Sequence, residues 1–349
     1  MGYSEFGEPE IKRVKNYKKG LIIHHWDTDG ISSAALFLEY LKKIKKELII
    51  KNYTSTIGNY FLEDHEINRI SSHNYDFIIV ADISFPKNNI LKLKNTSKAE
   101  IFYFDHHFQE KIVEVYHLNP IIEGKNGEKY PSTSWIVNNY LGNPLSIPAV
   151  LGAVGDHEIK LKNKKMIYKV ITEFIEKLGI SFDDLLRMVE LIDSNYKVGD
   201  RNGVLKAPFV LLKNDPKAIL DDPKWNENLE KLREDVEKQT SKPPTRREGK
   251  ILIWEINTRY NTTSTITRRL AWKNNDNIVV IVNKGWFPDR DQVYIRTGND
   301  FFDSKKIIDF ARGLGYSAGG KKEVFAAVVP RNETKKFLEL VLPKLGENR

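Results

Sequence analysis

No cysteine occurs in the 349 residues. That excludes a disulfide scaffold, a thiolate nucleophile and a cysteine-type zinc site, so any metal must be held by histidine and carboxylate. No apolar run approaches the ~20 residues that a membrane-spanning helix needs. The N-terminus shows no signal-peptide pattern, and Met1-Gly2-Tyr3-Ser4-Glu5-Phe6 lacks the serine or threonine expected of a myristoylation site. A soluble, cytoplasmic protein is expected. Histidine is missing from the C-terminal half: none follows His157, and four of the eight lie inside the motifs described below.

What is present begins with length and charge. A chain of 349 residues suggests two domains. The formal net charge is +8, and about +7 of it falls in residues 247–349, with roughly 19 Lys and Arg against 12 Asp and Glu. A basic C-terminal third suggests a polyanionic substrate. A generic lysine-rich surface gives the same count.

The stretch His24–Ala34, HHWDTDGISSA, places His25, Asp27 and Asp29 at a spacing of two, then a glycine and two serines. The apolar LII leads in and the helical pattern AALFLEYLKKIKK follows, so the acids stand where a buried strand turns into a helix. In open α/β sheets ligands bind at that end of the strands. Packed acids repel one another and resist burial, and a bound cation removes both problems. Alone, the stretch is equally well read as a solvated, helix-capping turn.

Further strands follow at LIIKNYTST (48–56), DFIIVADIS (76–84) and EIFYFDHH (100–107), with helical patterns between them. This alternation predicts βαβ units and a parallel sheet. The strands end in His25 with Asp27 and Asp29, in Asp82, and in Asp105-His106-His107. In a parallel sheet those ends share one edge. PSTSW (131–135) caps a helix, and the apolar PAVLGAVGDHE delivers Asp156, which alone reads as a capping residue. Helical patterns continue to about 195 and through 203–240. EKQTSKPPTRREGK (237–250) reads as a linker. Beyond it, strand and helix patterns mix in a compact α+β second domain. The expected division is 1–195, a helical connector over 196–248, and 249–349.

The ordered set HxDxDG, Ala81-Asp82, Asp105-His106-His107 and Gly155-Asp156 resembles the DHH phosphoesterase superfamily. In the second domain, VYIRTG and ARGLGYSAGGKKEVFAAVV are similar to the strand arginine and glycine-rich loop of the DHHA1 domain. Within the superfamily the chain looks like the RecJ-type exonucleases and the nanoRNA and cyclic-dinucleotide phosphodiesterases. It departs from them in two places. Many RecJ-type enzymes begin the first motif with Asp where this chain has His25. Tyr316-Ser317-Ala318-Gly319-Gly320 replaces a loop that often reads GGGH, which leaves open how the substrate end is held.

The resemblance implies an α/β fold in which His25, Asp27, Asp29, Asp82, His106 and Asp156 hold two divalent ions, with Asp82 as the bridge. Mixed imidazole and carboxylate ligands suit Mn2+, with Mg2+ or Co2+ as lesser options. His107 is the candidate to contact the scissile phosphate or leaving group, and Asp105 to orient a neighbouring histidine. Arg296, the loop of Gly313, Gly315, Gly319 and Gly320, and Lys321 with Lys322 would bind the nucleotide in a cleft between the domains. Trp286, Phe287 and Tyr294 suit core packing better than base stacking, and His24 and His157 point elsewhere. The implied activity is Mn2+-dependent hydrolysis of short single-stranded oligonucleotides or dinucleotides to nucleoside 5′-monophosphates, with a homodimer possible and no membrane partner. The alternatives are a single-strand DNA exonuclease, a cyclic di-adenylate phosphodiesterase and an inactive scaffold. A pyrophosphatase of the related family is disfavoured, because its histidine stands four residues before the first aspartate and not two.

Overall fold

The computed structural model describes residues 6–297, 304–321 and 324–345. Internal packing divides the chain into two compact units. The first runs to Tyr196 and includes Asp200–Asn226; the second takes Lys197–Gly199 and the chain from Glu227 onward.

The first unit alternates strands and helices: β1 (Lys19–His24), α1 (Thr28–Ile44), β2 (Ile49–Tyr53), α2 (Asp64–Ser71), β3 (Phe77–Ala81), α3 (Lys87–Ser97), β4 (Glu100–Phe104) and β5 (Tyr116–Leu118). Six helices follow: α4 (Thr133–Tyr140), α5 (Ile147–His157), α6 (Lys165–Leu178), α7 (Phe182–Lys197), α8 (Arg201–Leu211) and α9 (Pro216–Leu220). The sheet order is β2-β1-β3-β4-β5 and every neighbouring pair is parallel. Parallel strands covered on both faces need apolar residues at successive positions, and the FIIVA of β3 is buried throughout.

Chain order reverses between β1 and β3, so the switch point of the sheet lies there, where α/β folds open a crevice. The register pairs His24 with Ala81 and Ala81 with Phe104. The residues that follow these three, His25, Asp82 and Asp105, therefore leave the sheet at one level. The acids converge as their strand-end positions predict.

Helix α1 begins at the N-cap Asp27, whose side chain accepts from the Gly30 N–H, and is buried at every position from Thr28 to Leu38. It packs on α4, α5 and α8. Asp193 of α7 fixes its start, accepting from the Thr28 N–H at 3.0 Å and hydroxyl at 2.7 Å. Asp156, read from sequence as a cap before the next helix, instead lies in the last turn of α5.

Helix α10 (Pro223–Thr240) leads into the second unit, which holds β6 (Arg246–Glu248), β7 (Ile251–Ile256), α11 (Thr263–Lys273), β8 (Ile278–Asn283), β9 (Arg290–Thr297), α12 (Ser304–Gly313), β10 (Ser317–Lys321), β11 (Val324–Pro330) and α13 (Thr334–Val341). The mixed sheet runs β10-β11-β9-β8-β7-β6, with β7 and β8 parallel and the other pairs antiparallel. Strand alternation feeds two cores: Leu252, Trp254, Val279 and Ile281 face α11, while Ile253, Val280 and Val282 face α12 and α13. The α+β expectation is met.

Two segments differ from their sequence readings. The polar stretch 237–250 continues α10 to Thr240 and then pairs Arg246–Glu248 with β7; only the part around Pro243-Pro244 is connector. The prolines stop the helix, and charge suits an exposed edge strand. The SAGGK part of the glycine-rich segment forms edge strand β10, because β11 offers it an open row of backbone partners. No helix among the described residues is long and apolar enough to cross a membrane.

Candidate metal centre

The switch point brings together three overlapping sets of ligand atoms: His25, Asp27 and Asp82; Asp29, His106 and Asp156; and Asp82, His106 and His107. Asp82 divides its carboxylate between two imidazoles. Its Oδ2 lies 3.8 Å from His25 Nδ1, and its Oδ1 lies 3.7 Å from His106 Nε2. His25 Nδ1 stands 2.7 Å from Asp27 Oδ2, and His106 Nε2 stands 3.0 Å from Asp156 Oδ2. Yet both ring nitrogens of His25, His106 Nε2 and Asp156 Oδ2 are buried without a hydrogen-bond partner. Buried polar atoms are nearly always satisfied. Close N···O approaches that miss hydrogen-bond alignment suit lone pairs aimed at a shared cation. The donor set is nitrogen and carboxylate oxygen, which fits Mn2+ and related divalent ions. All six predicted metal ligands are in this cluster.

The cluster is built on close backbone approach. Asp29 accepts from the N–H groups of Thr133 at 2.7 Å and Ser134 at 2.9 Å, at the N-terminus of α4, which aims its carboxylate. Thr133 also donates its hydroxyl to Asp82 Oδ1 at 2.9 Å. Neither residue stands out in the sequence, where STS reads as an ordinary cap. Gly152 of α5 leaves room for this contact: a Cβ there would sit 2.2 Å from Asp29 Oδ1 and 2.0 Å from Ser134 Oγ. Gly30 does the same for the first motif, since its Cβ would lie 2.5 Å from the His25 carbonyl oxygen. Asp82 itself has φ of +60°, a left-handed conformation in which aspartate and asparagine are tolerated better than most residues.

Electrostatics follow from burial. Desolvation, then the charges of Asp29, Asp27, Asp156 and Asp105, push the Asp82 carboxyl well above the usual range. Burial also raises Asp156, outweighing the attraction of His106. Burial opposes a charged His106, but Asp156, Asp29 and Asp105 prevail and lift its pKa to about 9. Burial likewise opposes the Asp27 charge, and His25 and the Gly30 N–H overcome it, bringing Asp27 to about 2. A cation would relieve the repulsion among the acids and displace the proton from His106.

Asp105 and His107 form a separate pair. Asp105 is fully buried and accepts from the His106 N–H at 2.7 Å, the His107 N–H at 3.1 Å and Gln109 Nε2 at 2.8 Å. His107 Nδ1 lies 2.7 Å from Asp105 Oδ1, while the ring stays half-exposed. Burial would lower the His107 pKa, but Asp105 outweighs it and the net shift is upward.

The DHH family, N-terminal domain, matches residues 19–170. Residues 19–170 are thus a DHH-type domain. No curated protein matches the sequence. Among solved structures, a DHH domain described as a member of a family of ribosomal proteins aligns at TM-score 0.71 and 17% identity, over 97% of this chain and 89% of that one. An exonuclease RecJ bound to manganese aligns at 0.67 and 14%, over 98% and 94%. RecJ of Thermus thermophilus with Mn2+ aligns at 0.68 and 14%, over 96% of this chain and 53% of that one. At these identities the likeness is one of fold.

The DHH domain thus holds all eight residues expected to bind metal or act in catalysis. The nucleotide-binding candidates fall in the second unit. Arg296 of β9 and Lys321 of β10 share one cross-strand row through Val324 of β11; the Lys321 side chain, like all of Lys322, lies outside the described residues. Gly313 ends α12, Gly315 makes the turn after it at φ +88°, and Gly319 and Gly320 are part of β10. Phe287 is buried, and Trp286 and Tyr294 are half-buried. In the DHH domain, buried His24 contacts the His25 carbonyl at 2.7 Å, and His157 Nε2 contacts the Pro131 carbonyl at 2.9 Å.

Proposed function

We propose that this chain is a manganese-dependent phosphodiesterase that hydrolyses short single-stranded oligonucleotides or dinucleotides to nucleoside 5′-monophosphates. The observation that carries the reading is the divided carboxylate of Asp82, with His25 and Asp27 on one side and His106, Asp156 and Asp29 on the other. When bound there, a pair of divalent ions would polarise the phosphoryl group and acidify the attacking water. The chain's own residues prepare the remainder. Thr133 and Ser134 hold Asp29 in place, and Asp105 fixes the His107 ring with Nδ1 toward itself. That leaves His107 Nε2 to carry a proton, and the raised pKa suits it to protonate the departing ribose oxygen.

His107 also belongs to one of the ligand sets, so its role is open to direct test. As a general acid, His107→Ala will keep its full metal content by elemental analysis and lose activity by about 10²–10⁴-fold. Loss of a bound ion together with activity would make it a ligand instead.

The activity itself is tested by product analysis. Protein loaded with Mn2+ is given pApA, cyclic di-adenylate, a five-nucleotide RNA and a long single-stranded DNA. Faster conversion of the short linear substrates to 5′-mononucleotides supports the proposal. The fold shared with the manganese-bound RecJ structures favours a second reading, a single-strand DNA exonuclease, and preference for the long DNA would establish it. No hydrolysis with Mn2+, Mg2+ or Co2+ would leave the inactive scaffold.

A further inference from the structure

We propose that the loop of residues 54–63, between β2 and α2, is a nucleobase platform for the DHH centre, on which Tyr60 stacks against the base next to the bound phosphate. The inference rests on the phosphodiesterase reading and names a binding residue for it. The ring of Trp26 is buried and lies 4.3 Å from that of His25. The Tyr60 ring lies 5.3 Å from Trp26 and 5.7 Å from His25, and yet Tyr60 is 57% exposed. A large aromatic ring is therefore kept in water beside a metal-ligand candidate, with Phe61 next to it also exposed.

The loop is held too firmly for a bystander. Buried Glu66 accepts from the Tyr53 hydroxyl at 2.8 Å, the Thr56 N–H at 3.2 Å and the Glu63 N–H at 3.0 Å. Ser55 donates to the Asn59 carbonyl at 3.0 Å, and Asn59 Nδ2 donates to Glu63 at 2.8 Å. Asn89 clamps Leu62 through both its N–H and its carbonyl, at 2.9 and 2.8 Å. The Arg201 guanidinium covers the Tyr53 ring at 4.6 Å and donates to the Thr54 carbonyl. A surface ordered before binding loses little entropy when it takes a ligand. Its occupant must coexist with a phosphate at the adjoining centre, which an unpaired base on the same nucleotide does by covalent attachment. Stacking on an aromatic ring accepts any base.

The test combines Tyr60→Ala and Tyr60→Phe with pApA and two pApA analogues, each abasic at one nucleotide. Tyr60→Ala will raise KM for pApA about tenfold with kcat and manganese content retained, and the penalty will vanish on one of the two abasic analogues. Tyr60→Phe will behave as wild type. The fluorescence of 2-aminopurine nucleoside 5′-monophosphate will be quenched by wild type and by Tyr60→Phe, and not by Tyr60→Ala. Equal losses on pApA and both analogues, or no loss on any, would overturn the platform. If wild type hydrolyses none of these substrates, the phosphodiesterase reading fails, and the quenching alone decides on Tyr60.

Discussion

Replacing Asp82 with asparagine will abolish turnover and make the metal-free protein harder to unfold. The two effects have one cause. Asp82 is 1% exposed and surrounded by Asp27, Asp29, Asp105 and Asp156. Desolvation and these like charges raise its carboxyl, so its linkage favours the folded state below the unfolded pKa of about 3.9 and is lost as pH rises toward the raised value. At neutral pH this buried acid therefore disfavours folding of the metal-free protein, whether it sheds its proton into the acidic cluster or keeps it. Asparagine keeps the shape, still accepts from the Thr133 hydroxyl through Oδ1, and tolerates φ of +60°. The gain should be on the order of 1–4 kcal/mol in the metal-free state, read from chemical denaturation. Activity should fall by at least about 10³-fold, because the amide cannot serve as an anionic bridge. Manganese, which should raise the melting temperature of wild type, should leave the variant unmoved. A variant less stable than metal-free wild type, or one that keeps its activity, would remove Asp82 from the centre of the site.

How far the sequence leads depends on whether a residue's partner is local. The candidate ligands after β1, β3 and β4 are legible because a parallel sheet puts strand C-termini on one edge, and an acid after an apolar run marks that edge by itself. Strand position alone brings His25, Asp27, Asp82 and His106 to one edge, and the resemblance of the ordered motifs assigns them as ligands. Asp156 does not follow from the sheet at all. It comes from the last turn of α5, and only the ordered motif set singled it out. Thr133, Ser134, Gly152 and Asp193 are beyond such reading, since each acts on a residue more than a hundred positions away, through a contact that leaves no local pattern. β10 fails for a related reason. Its glycines disfavour a strand locally, and the decision is made by the open edge of β11.

Manganese affinity will rise with pH from about 6 to about 9 and then level off. Coordination needs a neutral imidazole, whereas metal-free His106 holds its proton up to a pKa of about 9, because Asp156, Asp29 and Asp105 overcome the cost of its burial. Each ion bound through His106 at neutral pH must expel that proton. One proton released per ion means about a tenfold gain in affinity per pH unit well below the pKa, and about 50-fold between pH 7 and 9, where half of the imidazole is already neutral. Any proton held by the raised carboxyls of Asp82 and Asp156 must be cleared as well, which adds to the dependence. Calorimetric titration in buffers of different ionisation enthalpy counts these protons directly. The folded state responds in the opposite sense. A raised His106 pKa stabilises the metal-free protein fully below the unfolded value of about 6.5, and this is lost as pH climbs through about 9. The stabilisation conferred by manganese should therefore grow across the same window, as the metal-free reference weakens and the ion binds more tightly. Proton-free binding with a flat affinity from pH 6 to 9 would show that His106 does not meet the ion, and would break the link between the imidazole–carboxylate contact at 3.0 Å and metal coordination.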